Sequence, residues 1–161
     1  MSLKTVQEHL KKYGLEERVH LTQESSATVE LAAQALGILP ARIAKTLSFL
    51  VKDGCLMVVA AGDARIDNGK FKRLFGEKAH MMPKELVEEM TGHPVGGVCP
   101  FAVKAGVKVY LDESLKRFDT VYPAAGNSQS GVELRLDELE KASEALGWVD
   151  VCKDWTDTES G

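Results

Sequence analysis

Two apolar runs of strand length, 43–51 (IAKTLSFLV) and 55–61 (CLMVVAA), are separated only by Lys52-Asp53-Gly54. An Asp-Gly step between such runs is a strong hairpin signal, because the tight turn that matches the twist of two paired strands needs positive φ. The first run alternates, Thr46 and Ser48 against Leu47 and Phe49, as a half-buried strand does. The second is nearly all apolar and reads as a central strand, covered on both faces. A sheet built around this hairpin is therefore the frame into which the rest of the chain must fit.

The flanking segments predict short helices and strands. Helices are expected over 3–12, over 28–37 after Ser26 with Gly37 as a stop, and over 69–75 capped by Asp67 or Asn68. Two more are expected over 83–90, opened by Pro83, and over 138–146, started by Asp137 and stopped by Gly147. Strands are expected over 18–21, 79–82, 107–111, 119–122, 131–136 and 148–152. Helices and strands are mixed without strict βαβ alternation, which points to an α+β fold with a mixed or largely antiparallel sheet. A length of 161 residues suits one compact domain with a sizeable core.

Several function classes are disfavoured. No apolar run approaches the roughly 20 residues of a membrane span. The N-terminus reads as an amphipathic helix rather than a secretory signal, so a cytoplasmic location is expected. Cys55, Cys99 and Cys152 form no CxxC pair, and His9, His20, His80 and His93 show no metal-ligand spacing, so neither a disulfide framework nor a metal or other cofactor is expected. No P-loop, dinucleotide-binding glycine motif or GxSxG elbow is present. The formal net charge of -4 does not by itself favour nucleic acid. Its distribution is uneven, however: Arg65, Lys70, Lys72 and Arg73 crowd one stretch, while the C-terminal part is acidic. The basic stretch is either a solvated face or a patch for a phosphate backbone.

Chemistry is most concentrated in 92–101, GHPVGGVCPF. Gly96 and Gly97 allow close backbone approach, Pro94 and Pro100 stiffen the flanks, and such a loop can aim consecutive N–H groups at a developing oxyanion. It can equally be a tight turn between a helix and a strand. A second small-residue loop, 122–131, is either a plain hairpin loop or the opposite wall of a pocket. Lys45 lies inside the first apolar run, on the face of Leu47 and Phe49 by alternation. It either snorkels at the strand start or waits for an anion. Cys99 and His93 are close enough along the loop for a nucleophile–base pair, but no orienting carboxylate is evident nearby.

The segments RIAKTL at 42–47, VVAAGD at 58–63, VGGVCPF at 95–101 and AAG at 124–126 followed by VEL occur in one order over roughly 15–152. Together they resemble the YbaK/EbsC family, which includes ProX-type deacylases and the editing domain inserted in bacterial prolyl-tRNA synthetases. The resemblance implies a single editing domain over 1–161, with a mixed, barrel-like sheet flanked by short helices. It implies trans-editing hydrolysis of mischarged aminoacyl-tRNA, with tRNA(Pro) carrying alanine or cysteine as the expected substrate and a synthetase as an additional partner. On this reading Lys45 and the backbone of Gly97, Val98 and Cys99 are catalytic. Thr46, Gly96, Pro100, Phe101, Ala125, Gly126, Asn127 and Ser128 bind the acceptor end, and Arg65, Lys70, Lys72 and Arg73 bind RNA. Neither metal nor cofactor is implied. Cys99 and Ala102 depart from the family, which often has serine or proline at the first position and glycine at the second. The competing reading is a non-catalytic tRNA-binding or regulatory protein that kept the pocket.

Overall fold

The computed structural model describes residues 2–155. In chain order the strands are β1 (Val19–Leu21), β2 (Ala44–Val51), β3 (Gly54–Ala61), β4 (Arg65–Ile66), β5 (Lys108–Asp112), β6 (Thr120–Val121), β7 (Ser130–Val132), β8 (Leu134–Arg135), β9 (Gly147–Val149) and β10 (Cys152–Lys153). The helices are α1 (Ser2–Lys11), α2 (Val29–Leu36), α3 (Asn68–Phe75), α4 (Lys84–Thr91) and α5 (Leu136–Ser143). The main sheet has the order β2-β3-β5-β9, and three two-stranded pairs, β1-β7, β4-β10 and β6-β8, surround it.

The hairpin is the frame the sequence predicts. β2 and β3 pair antiparallel from Ala44↔Ala61 to Val51↔Gly54, and β3 then pairs parallel with β5. β3 is thus central, and Met57 to Ala61 have no exposed surface. The sheet is mixed, but it is open: β2 and β9 are its edges, so the barrel-like closure expected of the family is not formed among the described strands. The β2 edge is partly covered by 80–82, where Leu50 N–H donates to His80 O and Met82 N–H to Ser48 O. This segment, expected as a strand, makes only an isolated bridge at Phe49↔Met81, because Pro83 follows at once and removes the next N–H.

Alternation along β2 divides the molecule. Phe49 packs on Phe71 of α3, with ring centroids 4.9 Å apart, and Phe71 continues onto Phe75, which meets Tyr110 of β5. α3 therefore covers one face of the sheet, and Ala44, Thr46 and Ser48 point to the other. α3 starts as expected, with Asp67 accepting from Lys70 N–H. α2 starts with Thr28 accepting from Leu31 N–H and ends at Gly37 in the left-handed region.

Three expectations shift at the C-terminal end. The 131–136 strand is broken into β7, which pairs with β1, and β8, which pairs with β6. α5 ends earlier than Gly147, with Glu144 at φ 54°, and Gly147 opens β9 instead. The last strand is split into β9 and β10, because Asp112 Oδ1 takes the Val151 N–H at 2.9 Å and turns the chain away from the main sheet.

Phe71 is completely buried between two rings. Phe71→Ala should lower the unfolding free energy by about 3–5 kcal/mol, measured by urea denaturation followed by circular dichroism.

Candidate active site

The polar face of β2 floors a cavity of about 280 Å³. Its walls come from four directions: α2 contributes Val29 and Ala32, α4 Val87, the glycine loop Val95, Gly96 and Val98, and the second loop Tyr122 and Ala124. Lys45 and Thr46 both border it. The second loop reaches this place because it does not close a hairpin. β6 and β7 pair with different strands, and Tyr122 bonds beside the start of β2, its N–H to Arg42 O and its carbonyl to Ala44 N–H.

The two small-residue loops meet. A Cβ on Gly97 would lie 2.5 Å from both N and Cα of Asn127 and 2.6 Å from Gly126 C, so the loops touch main chain to main chain. Gly96, at φ 92°, faces Ser128 Cβ and Ala27 Cβ. The second loop is pinned internally. Asn127 Oδ1 accepts from Gln129 N–H, Ala125 N–H donates to Ser130 Oγ at 3.1 Å, and Ser26 receives Ser130 N–H at 3.0 Å while donating to Ser130 O. Ser26 thus ties the approach to α2 to the same loop. No isolated motif signalled this; only the folded chain pairs Ser26 with a residue about a hundred positions away.

The expected oxyanion donors divide. Gly97 N–H donates to Pro94 O at 3.0 Å and closes the turn 94–97, so it is committed to the loop's own shape. Among the described residues, the N–H groups of Val98 and Cys99 donate to no main-chain carbonyl. Pro100 and Phe101 are buried beneath the loop and do not border the cavity; the Phe101 ring lies 6.4 Å from that of His9. Ala125, Gly126, Asn127 and Ser128 stand behind the wall formed by Ala124 and Gly96. Ala102 holds φ 52°. This is a left-handed conformation that alanine tolerates at some cost.

Lys45 is anchored. Its Nζ donates to Gly62 O at 3.3 Å and to Ala64 O, both in the turn that leaves β3. Burial pushes its pKa below the ordinary lysine value, and Asp63 and Glu30 oppose that shift while Arg65 adds to it. An ammonium has three donors, and these two carbonyls leave one for a ligand. Thr46 Oγ1 is buried against the cavity with no hydrogen-bond partner among the described residues. An orphan hydroxyl of this kind costs about 1–3 kcal/mol unless something fills the cavity and pairs with it.

Cys99 and His93 are close, Sγ to Nε2 at 3.6 Å, but they cannot act as nucleophile and base. His93 Nε2 also lies 2.7 Å from Phe101 O. A carbonyl only accepts, so that nitrogen carries the proton and has no lone pair for the thiol. Cys99 has no exposed surface, and burial pushes its pKa up to about 12. The pair is a clamp: His93 bridges the two ends of the glycine loop.

The basic residues also divide. Lys70 is engaged by Asp150 at 3.0 Å and by Cys152 O at 3.0 Å. Lys72 and Arg73 are exposed on α3, across the sheet from the cavity. Of the four, Arg65 is the one whose charge is felt at Lys45. Lys84 on α4, the last base of the 65–84 stretch, borders the cavity itself.

Comparison with known proteins decides the family. Residues 23–142 match the model of the aminoacyl-tRNA editing domain. The chain belongs to that family. It is an aminoacyl-tRNA deacylase, and its partner is aminoacyl-tRNA. It is 50% identical over 156 residues to the uncharacterized protein YwhH of Bacillus subtilis, covering 96% of this chain and 99% of that one. It is 32% identical over 126 residues to the proline–tRNA ligase of Thermosipho melanesiensis, covering 77% of this chain and 22% of the ligase, so it corresponds to about a fifth of that enzyme. A structure provisionally described as a trans-editing enzyme for prolyl tRNA synthetase superposes with a TM-score of 0.85 at 31% identity, covering 94% of this chain and 97% of the other. The editing domain's fold and family thus agree with the resemblance read from 42–47, 58–63, 95–101 and 124–126.

Gly97→Ala should cut deacylation by about 10²-fold, comparable to losing an oxyanion donor, because the new methyl group must displace the main chain of Asn127; steady-state assays on a protein with native circular dichroism test this. His93 has its pKa lowered by burial, partly offset by its bond to Phe101 O. The unfolded chain therefore takes up a proton first, and stability contributed by neutral His93 is lost as pH falls below about 6.5. His93→Gln, which keeps an N–H donor, should flatten that acid-side loss in urea titrations run from pH 7 to pH 5.

Proposed function

We propose that the enzyme acts in trans on tRNA(Pro) carrying a small non-cognate amino acid such as alanine or cysteine, in the cytoplasm where charged tRNA is found. The editing domain is taken to run over about 15–152. The observation that carries this reading is the small cavity itself: about 280 Å³, with Ala, Val and Gly among its walls, bordered by Lys45, whose ammonium is anchored, and by the orphan hydroxyl of Thr46. The likeness to the Thermosipho ligase and to the described trans-editing enzyme supports the proline system.

In this reading the acceptor end enters between α2 and the glycine loop. The remaining Lys45 donor binds the terminal ribose or phosphate, and Thr46 Oγ1 pairs with a polar atom of the aminoacyl group. Water attacks the ester carbonyl, and the N–H of Val98, which borders the cavity, holds the oxygen as it gains charge, while Cys99 is buried behind it. The bond to the ribose oxygen then breaks, releasing free amino acid and the tRNA 3′ terminus. An ester is already activated, so positioning and oxyanion stabilisation suffice without a protein nucleophile. Lys84 at the cavity and Arg65, whose charge reaches Lys45, add salt-sensitive attraction for the RNA, while Lys72 and Arg73 do not border the cavity. A synthetase bound to the same tRNA is compatible with this arrangement.

Selection is by exclusion. A wall of Val and Ala rejects a larger side chain sterically, whereas one methylene fewer changes binding by only about 1–3 kcal/mol. A second sieve built on size therefore removes what a synthetase cannot refuse.

The test is release of amino acid from tRNAs charged with alanine, cysteine, serine, threonine and proline. Rapid hydrolysis of a small-side-chain ester on tRNA(Pro), with proline spared, is expected. Lys45→Ala should lower kcat/KM at least about 10²-fold with the fold intact. Binding without release would favour a tRNA-sequestering role, and wild-type turnover by Lys45→Ala would remove the ammonium from the mechanism.

A further inference from the structure

The two carbonyls that hold Lys45 belong to Gly62 and Ala64, and the residue between them is Asp63. Its carboxylate receives a two-pronged bond from Arg117, Nη1 to Oδ2 at 2.9 Å and Nη2 to Oδ1 at 2.5 Å. The Arg117 side chain is 2% exposed. Its Nε donates to Ser114 O at 3.0 Å, and its guanidinium lies over the rings of Phe118 and Trp155. The same 113–117 turn grips the end of β3 a second time, since Ala61 N–H donates to Ser114 Oγ at 3.1 Å. A guanidinium buried this deeply is seldom the most stable filling of such a space; an apolar side chain often does as well. What the fork does supply is a fixed orientation for a planar carboxylate.

We propose that the Asp63–Arg117 pair is a positioning device for Lys45, fixing the turn whose carbonyls aim the ammonium at the cavity. The inference rests on the reading of Lys45 as the catalytic cation. Four groups face that ammonium: Asp63 itself, Glu30 of α2, Arg65 of β4 and Cys152 of β10. Burial pushes the Cys152 thiol above its usual range, so it is uncharged at neutral pH. Arg65 repels the ammonium, and Glu30 is exposed. Asp63 is then the carboxylate with an enforced place. Burial raises its pKa, and the bond and charge of Arg117 outweigh this and hold it below the ordinary carboxylate value. Its negative charge favours the charged form of Lys45 against the loss of solvent.

The test uses Asp63→Asn, which keeps the shape and removes the charge. Lys45 is titrated by competitive acetic anhydride labelling between pH 7 and pH 11, read by peptide mass spectrometry. Turnover is measured on tRNA(Pro) charged with alanine. Lys45 should titrate about one pH unit lower in the variant, the shift expected from losing one nearby charge. Its kcat should fall about tenfold or more, and KM should rise, because the ammonium also holds the terminal ribose or phosphate of the bound substrate. Adding Asp63→Asn to Lys45→Ala should cost nothing further, because the carboxylate acts through the ammonium. Wild-type titration with wild-type kcat, or losses that multiply in the double variant, would overturn the proposal. Should Asp63→Asn not fold, Arg117→Lys replaces the fork by a single bond and keeps both charges; lowered kcat is expected and unchanged kcat overturns it. If Lys45→Ala alone keeps full turnover, the catalytic reading of Lys45 fails, while the labelling still reports whether Asp63 governs the ammonium.

Discussion

The glycine loop meets the second loop main chain to main chain, and that contact depends on Gly97 having no side chain. With N and Cα of Asn127 only 2.5 Å from where a Cβ would stand, any other residue would separate the loops. Their separation would shift the cavity wall that Gly96, Val98 and Ala124 form. The glycine pair thus has two different tasks. Gly96 takes a left-handed φ of 92° to make the turn, and Gly97 provides the clearance.

Around this contact the fold supplies stiffness from behind. His93 spans the loop ends through Phe101 O, and Phe101 itself is buried, so the loop rests on the core. Ser26 and Ser130 exchange hydrogen bonds and join the start of α2 to the opposite loop. Lys45 is held by the turn after β3, which is in turn gripped from the 113–117 segment. A water-attacked ester needs little more than fixed dipoles at the right places. The hydrogen bonds here are of the kind that fix them, and the titrating pair that a thiol mechanism would need is instead a buried, neutral clamp.

Much of the fold was readable because it is encoded locally. The Asp-Gly step, the alternation from Thr46 to Phe49 and the caps at Asp67 and Gly37 each act over a few residues. The failures came where distant partners compete. Residues 79–82 pair too briefly to be a strand, 131–136 divides because its halves find different partners, and 148–152 divides because Asp112 captures Val151 N–H. The site was legible to the same extent. Lys45, Thr46, Gly96 and Val98 border the cavity, whereas Pro100 and Phe101 support it from the core and Lys70 is occupied by Asp150. The walls from α2 and α4 carried no sequence mark, since an apolar helix face looks the same whether it meets a core or a ligand.

The sequence by itself determined the hairpin at the centre of the sheet, the two small-residue loops and the family to which they belong. Each of these is written in residues that are neighbours along the chain, where backbone geometry and hydrophobic period act directly. Only the tertiary structure decided that the loops touch, that Gly97 gives up its N–H to a turn, that burial leaves Cys99 and His93 a neutral clamp, and that Lys45 is bonded by a turn whose Asp63 Arg117 grips. Those outcomes depend on distances between residues far apart in sequence, on burial that shifts a proton's preference, and on which acceptor a donor reaches first.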